Sequence, residues 1–129
     1  MIYISSNSDG SSVINLTAGD DATLTVPLKT DDGEDYEMTE NEYLIFSVRE
    51  KATFESPLLI EIMSDEGSNE IVFSHQDTYN IAPGFYSAEI QLMTEDEKRI
   101  TVWPKLIGNS RISASNRKNF CVMTEVVRI

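Results

Sequence analysis

Lysine and arginine are scarce in the first 97 of the 129 residues: only Lys29, Arg49 and Lys51 occur there, against 21 acidic residues. Phosphate contacts require clustered Lys and Arg, so this body argues against nucleic acid or an anionic membrane as a partner. Histidine occurs once, as His75, which excludes a zinc site built on several imidazoles and leaves no second imidazole to assist in catalysis. Cysteine also occurs once, as Cys121 beside Phe120, Val122 and Met123. No intrachain disulfide can form, a cytoplasmic folding compartment is allowed, and packing is the expected role of the thiol. No apolar run approaches the roughly 20 residues of a membrane helix. The start Met1-Ile2-Tyr3-Ile4 lacks the basic and then apolar pattern of a signal peptide.

What the chain does have is alternation. Leu24, Val26 and Leu28 are interleaved with Thr23 and Thr25, Leu44, Phe46 and Val48 with Ile45 and Ser47, and Tyr86, Ala88, Ile90 and Leu92 with Ser87, Glu89 and Gln91. A period of two buries one face of a sheet. Strands are expected near 2–5, 13–17, 22–28, 43–49, 58–63, 70–74, 85–93, 99–106 and 120–127, with a short helical turn over 76–80. Asp9-Gly10, Gly19-Asp20, Asp31-Asp32-Gly33, Asp65-Glu66-Gly67, Pro83-Gly84 and Gly108-Asn109 supply turns between them. The pattern predicts a single all-β domain over 1–129, an antiparallel β-sandwich of about seven to nine strands. Its core is expected to hold Leu24, Val26, Phe46, Val48, Ile60, Ile62, Ile90, Leu92, Ile100 and Val102, each contributing about 1.5–3 kcal/mol when fully buried.

The net charge of −12 is unevenly divided. Residues 98–129 carry seven basic residues against the single acid Glu125, so the body stands at −18 and the C-terminal part at +6. The basic part either lies against the acidic body of its own chain or reaches the acidic face of a neighbour. Trp103 is the only tryptophan and stands next to Val102, so simple alternation points it to the opposite face, as an apolar lid, an interface contact or a ligand platform.

No pattern announces a reaction. Nothing flanking Cys121 or His75 resembles a nucleophile motif, and carboxylate pairs are uninformative where acids number 22. The oxygen-rich loops Asp20-Asp21 and Asp31-Asp32-Gly33-Glu34-Asp35 lack the alternate spacing of an EF-hand and read as solvated turns. Neither a metal nor a cofactor is implied, and the chain is not expected to be an enzyme.

The run from Gly19 to Val26, then Asp32-Gly33-Glu34-Asp35-Tyr36 with Met38-Thr39, then Tyr43 to Arg49, resembles a family of phage and prophage proteins. These are immunoglobulin-like domains related to the N-terminal part of phage baseplate upper proteins. Pro83-Gly84-Phe85-Tyr86 with Ala88 to Leu92, the hairpin Thr94 to Lys98 and the stretch Arg99 to Lys105 extend the likeness over about residues 15–107. Residues 1–15 and the tail from Gly108, with its extra strand near 120–127, depart from it. Tyr86 resembles the tyrosine of a tyrosine corner, although Ala88 stands where an antibody domain has cysteine.

The resemblance implies an immunoglobulin-like sandwich in a virion, made in the bacterial cytoplasm and acting in a tail or baseplate through contacts with itself or with other phage structural proteins, as a homo-oligomer. The candidate interface residues are Trp103, Arg111, Arg117 and Lys118 on the basic side, and Asp31 and Asp32 in the acidic stretch 31–42 of a neighbour. A free-standing carbohydrate- or ligand-binding module, with Trp103, Phe85 or Tyr36 as a stacking platform, is the alternative.

Overall fold

A computed structural model describes residues 3–4, 14–30, 32–50, 55–103 and 120–123. Ten strand segments and one helical turn follow in chain order: β1 Tyr3–Ile4, β2 Ile14–Thr17, β3 Ala22–Thr25, β4 Leu28–Lys29, β5 Tyr43–Arg49, β6 Leu58–Met63, β7 Glu70–Phe73, α1 His75–Thr78, β8 Gly84–Met93, β9 Arg99–Trp103 and β10 Phe120–Met123. The fold is an all-β sandwich. Its large sheet runs β2-β10-β8-β5-β6, with β9 also on β8; β3 and β7 form a second sheet, and β1 pairs with β4.

The segment count exceeds the expected seven to nine because one expected strand is split in two. The stretch 22–28 breaks at Pro27, which has no N–H to give to a ladder. On one side Val26 ends the pairing with β7, donating to the Asn69 carbonyl at 2.9 Å and accepting from Asn69 Nδ2 at 2.9 Å. On the other, β4 turns to β1. β9 pairs with residues 90–93 of β8 and β10 with residues 84–86, both antiparallel. They follow one another along β8, with residues 104–119 intervening. The remainders of the expected strands 99–106 and 120–127 lie outside the described residues.

Two expectations need correction. The sheets are not wholly antiparallel: β2 runs parallel to β10, Phe120 opposite Ile14 and Val122 opposite Leu16. Nor does Trp103 face away from Val102. Ile90 lies opposite Trp103 while Gln91 lies opposite Thr101, so β9 carries one extra residue at Val102. Such a bulge puts two residues against one and resets the alternation. Val102 and Trp103 are therefore both buried in the core, Trp103 at 3% exposure.

The centre is aromatic. Phe46 of β5 meets Phe73 of β7 edge-on at 5.2 Å between centroids and Phe120 of β10 at 5.6 Å. Phe73 and Phe120 stack at 6.4 Å. Of the expected core, Val26, Phe46, Val48, Ile60, Ile90, Leu92 and Val102 are buried, and Leu24, Ile62 and Ile100 pack against it half-buried. Ile45 is buried as well, although it stands in the phase opposite Leu44 and Phe46.

Tyr86 makes the corner contact that the sequence foreshadowed: its hydroxyl donates to the Ala82 carbonyl four residues upstream. The turn needs Gly84, whose φ of 153° is one that side chains rarely adopt.

Replacing Phe120 by alanine should cost about 3–5 kcal/mol, since a large ring leaves the junction of two sheets. Replacing the exposed Met123, three positions on, by alanine should cost under about 0.5 kcal/mol. Urea unfolding of the two variants checks the contrast.

Candidate interaction surface

The acidic stretch 32–42 is a loop held by its own hydrogen bonds. Thr30 N–H donates to the Glu34 carbonyl and Gly33 N–H to the Thr30 carbonyl, both at 2.9 Å; Tyr36 N–H reaches the Leu28 carbonyl at 3.0 Å. Lys29 pairs with Asp35. At the end of the loop Glu42, only 3% exposed, accepts from the Tyr36 hydroxyl at 2.7 and 2.9 Å and from Thr39 N–H at 3.0 Å. A buried carboxylate is tolerated there because donors surround it. Burial, then the Glu42 hydrogen bond, then the charges of Glu42 and Glu95 push the Tyr36 phenol up to about 12.

A second polar tie holds the helical turn. His75 N–H donates to Asp21 Oδ1 at 2.7 Å and Gly19 N–H to the hydroxyl of buried Thr78 at 3.0 Å. The Asp77 carboxylate accepts from Ser74 N–H at 2.6 Å. Asp21, read from sequence only as a turn residue, thus caps an element 54 positions away.

The sequence-selected interface residues separate. Asp32 is exposed on the loop. Trp103 is buried and presents no surface, which also removes it from any stacking platform. Asp31, Arg111, Arg117 and Lys118 lie outside the described residues. Phe85 is exposed on β8 opposite Cys121, while Tyr36 is half-buried and engaged by Glu42, so these aromatics occupy different settings. His75 is exposed and its ring faces Tyr79 at 6.4 Å. Among the described residues no three His, Cys, Asp or Glu side chains converge to hold a metal ion.

The surface that sequence reasoning missed is the side of the sandwich where β6 and β7 end their sheets. Among the described residues β6 pairs only with β5, and β7 only with β3. Ser64 N–H donates to the Leu44 carbonyl, so residues opposite one another at even positions of β6 are the hydrogen-bonded ones, and Glu61 and Met63 aim their main-chain groups outward. On β7 the same argument from the Val26–Asn69 bond turns Glu70 and Val72 outward. Ser68 Oγ takes the Glu70 N–H at 3.1 Å. Between the two edges lies a shallow depression of about 400 Å³ lined by Met63, Ser64, Asp65, Ser68, Glu70 and Val72. Met63 is 55% and Val72 61% exposed. The one sequence signal that points here is charge: residues 52–97 contain ten acidic residues and no Lys or Arg.

On the outer face of the large sheet Glu89 is exposed by surface area yet crowded by its strand neighbours. The resulting desolvation raises its carboxyl above the ordinary range, against the pull of Arg49 and Arg99.

Tyr36→Phe should destabilise the protein by about 1.5–3 kcal/mol, because a charged acceptor loses its donor. The stabilisation from the raised phenol is present below its ordinary value of 10.0 and is lost as pH rises through about 12. Thermal melts from pH 8 to 12 should therefore fall more steeply for the native protein than for the variant.

No family model matches the chain, and no curated protein matches its sequence.

Proposed function

We propose that this chain is a non-enzymatic structural or assembly protein of a phage or prophage, of tail or baseplate type, which acts by binding copies of itself or neighbouring virion proteins. The observation that carries the reading is the charge division: −18 over residues 1–97 and +6 over residues 98–129. An acidic body repels its own kind and attracts a basic segment, so the chain is complementary to itself in a head-to-tail sense. Repetition by symmetry multiplies weak contacts of this sort into a stable assembly. The virion context is supported by the order of the motifs from Gly19 to Arg49 and from Pro83 to Lys105, and by the Tyr86 corner contact that accompanies them.

Polar staples suit a building block of this kind. Glu42, Asp21 and Asn69 tie loops to the body through side chains, so surface groups are held in place before any partner arrives.

Light scattering across a salt series should give an oligomer at low ionic strength that loosens as salt is added. Charge reversal by Arg117→Glu with Lys118→Glu should weaken association at least tenfold at low salt. An unchanged native mass in that variant would sink the electrostatic contact.

A further inference from the structure

We propose that the free edges of β6 and β7 receive the cationic segment of residues 104–119 from a second copy of the chain, as an added strand. The inference rests on the assembly reading above and names its acceptor surface.

Three observations converge on this side of the sandwich. First, the main-chain groups of Glu61, Met63 and Val72 point outward along strands that have no further neighbour among the described residues. An open edge is a template for another extended chain, with hydrogen bonds supplying affinity and side-chain pockets supplying selectivity. Second, the exposed Met63 and Val72 flank a depression between the edges, where an apolar side chain would leave water. Third, Asp65 and Glu70 line it, and Glu61 and Glu66 stand close by in a sequence stretch free of Lys and Arg.

The charge selects the occupant. Two β6 edges brought together would oppose like carboxylates, which is destabilising across strands. Residues 104–119 carry Lys105, Arg111, Arg117 and Lys118 and no acid, with Leu106, Ile107 and Ile112 as apolar candidates for the depression. The segment joins β9 to β10, and half of its 16 residues, fully extended, span at most about 26 Å at ~3.3 Å per residue. That reach is enough to lie beside several residues of a neighbouring edge. The loop 32–42 is a poorer acceptor, because its main chain is engaged internally at Thr30, Gly33 and Tyr36. Edge and segment are different surfaces, so the contact is heterologous and closes into a ring or continues as a filament.

The test combines native mass at low salt with amide hydrogen exchange on the full chain. Three variants are compared: Met63→Pro, which removes an outward N–H; Asp65→Lys with Glu70→Lys, which leaves the backbone intact; and Asp32→Lys with Glu34→Lys on the loop. Circular dichroism checks that each folds. The first two should weaken association at least tenfold and the loop variant less than twofold. In the native protein the amides of Glu61, Met63 and Val72 should exchange at least tenfold more slowly at high than at low concentration, while Ile62 and Ile71, already bonded within their sheets, stay unchanged. An oligomer weakened only by the loop variant, or by none of the three, overturns this inference and leaves the assembly reading standing. Protection of the edge amides in a monomer would put the segment of the same copy there and overturn the intermolecular contact. A monomer without protection overturns this inference and self-assembly together.

Discussion

Three phenylalanine rings, from strands that lie far apart along the chain, hold the sandwich shut. Phe73 belongs to the two-stranded β3–β7 sheet, which could not stand alone in water. Its packing on Phe46 and Phe120 is what fastens that sheet to the larger one. Phe120 in turn anchors β10, a strand of four residues, and β2 reaches the large sheet through β10. Loss of the junction would therefore release elements from both ends of the chain. The arrangement is non-local, since Phe46 and Phe120 are separated by most of the domain, and loop closure of that kind is slow.

The same topology leaves β6 and β7 as neighbouring edges, one from each sheet, with nothing beyond them among the described residues. Proteins blunt such edges with proline, charge or a side chain laid over the open groups. Pro57 stands just before β6, Ser68 covers the Glu70 N–H, and carboxylates crowd the rim. These devices discourage pairing between like edges. They do not discourage a cationic strand, which makes selectivity here a matter of charge sign.

Polar side chains do the remaining work of holding loops to the body. Asp21 caps a helical turn across a long sequence separation, Asn69 bonds the carbonyl next to Pro27, and Glu42 gathers Tyr36 and Thr39. Each supplies a hydrogen-bond partner to a backbone or hydroxyl group that has none in a neighbouring strand. These described loops are thereby fixed parts of the fold.

By itself the sequence determined the all-β class, the spans of β5 and β6 to the residue, the helical turn before Pro83-Gly84 and most of the core, because period two and turn chemistry are local properties. Tyr86 was also legible, since Pro-Gly-x-Tyr is a local motif. The tertiary structure alone decided the burial of Trp103, which depends on an extra residue opposite Ile90 on another strand. It alone decided the parallel pairing of β2 with β10, the cap from Asp21 and the outward turn of Met63 and Val72. Register, bulges and free edges are relations between strands, and no pattern within one strand records which neighbour it will meet.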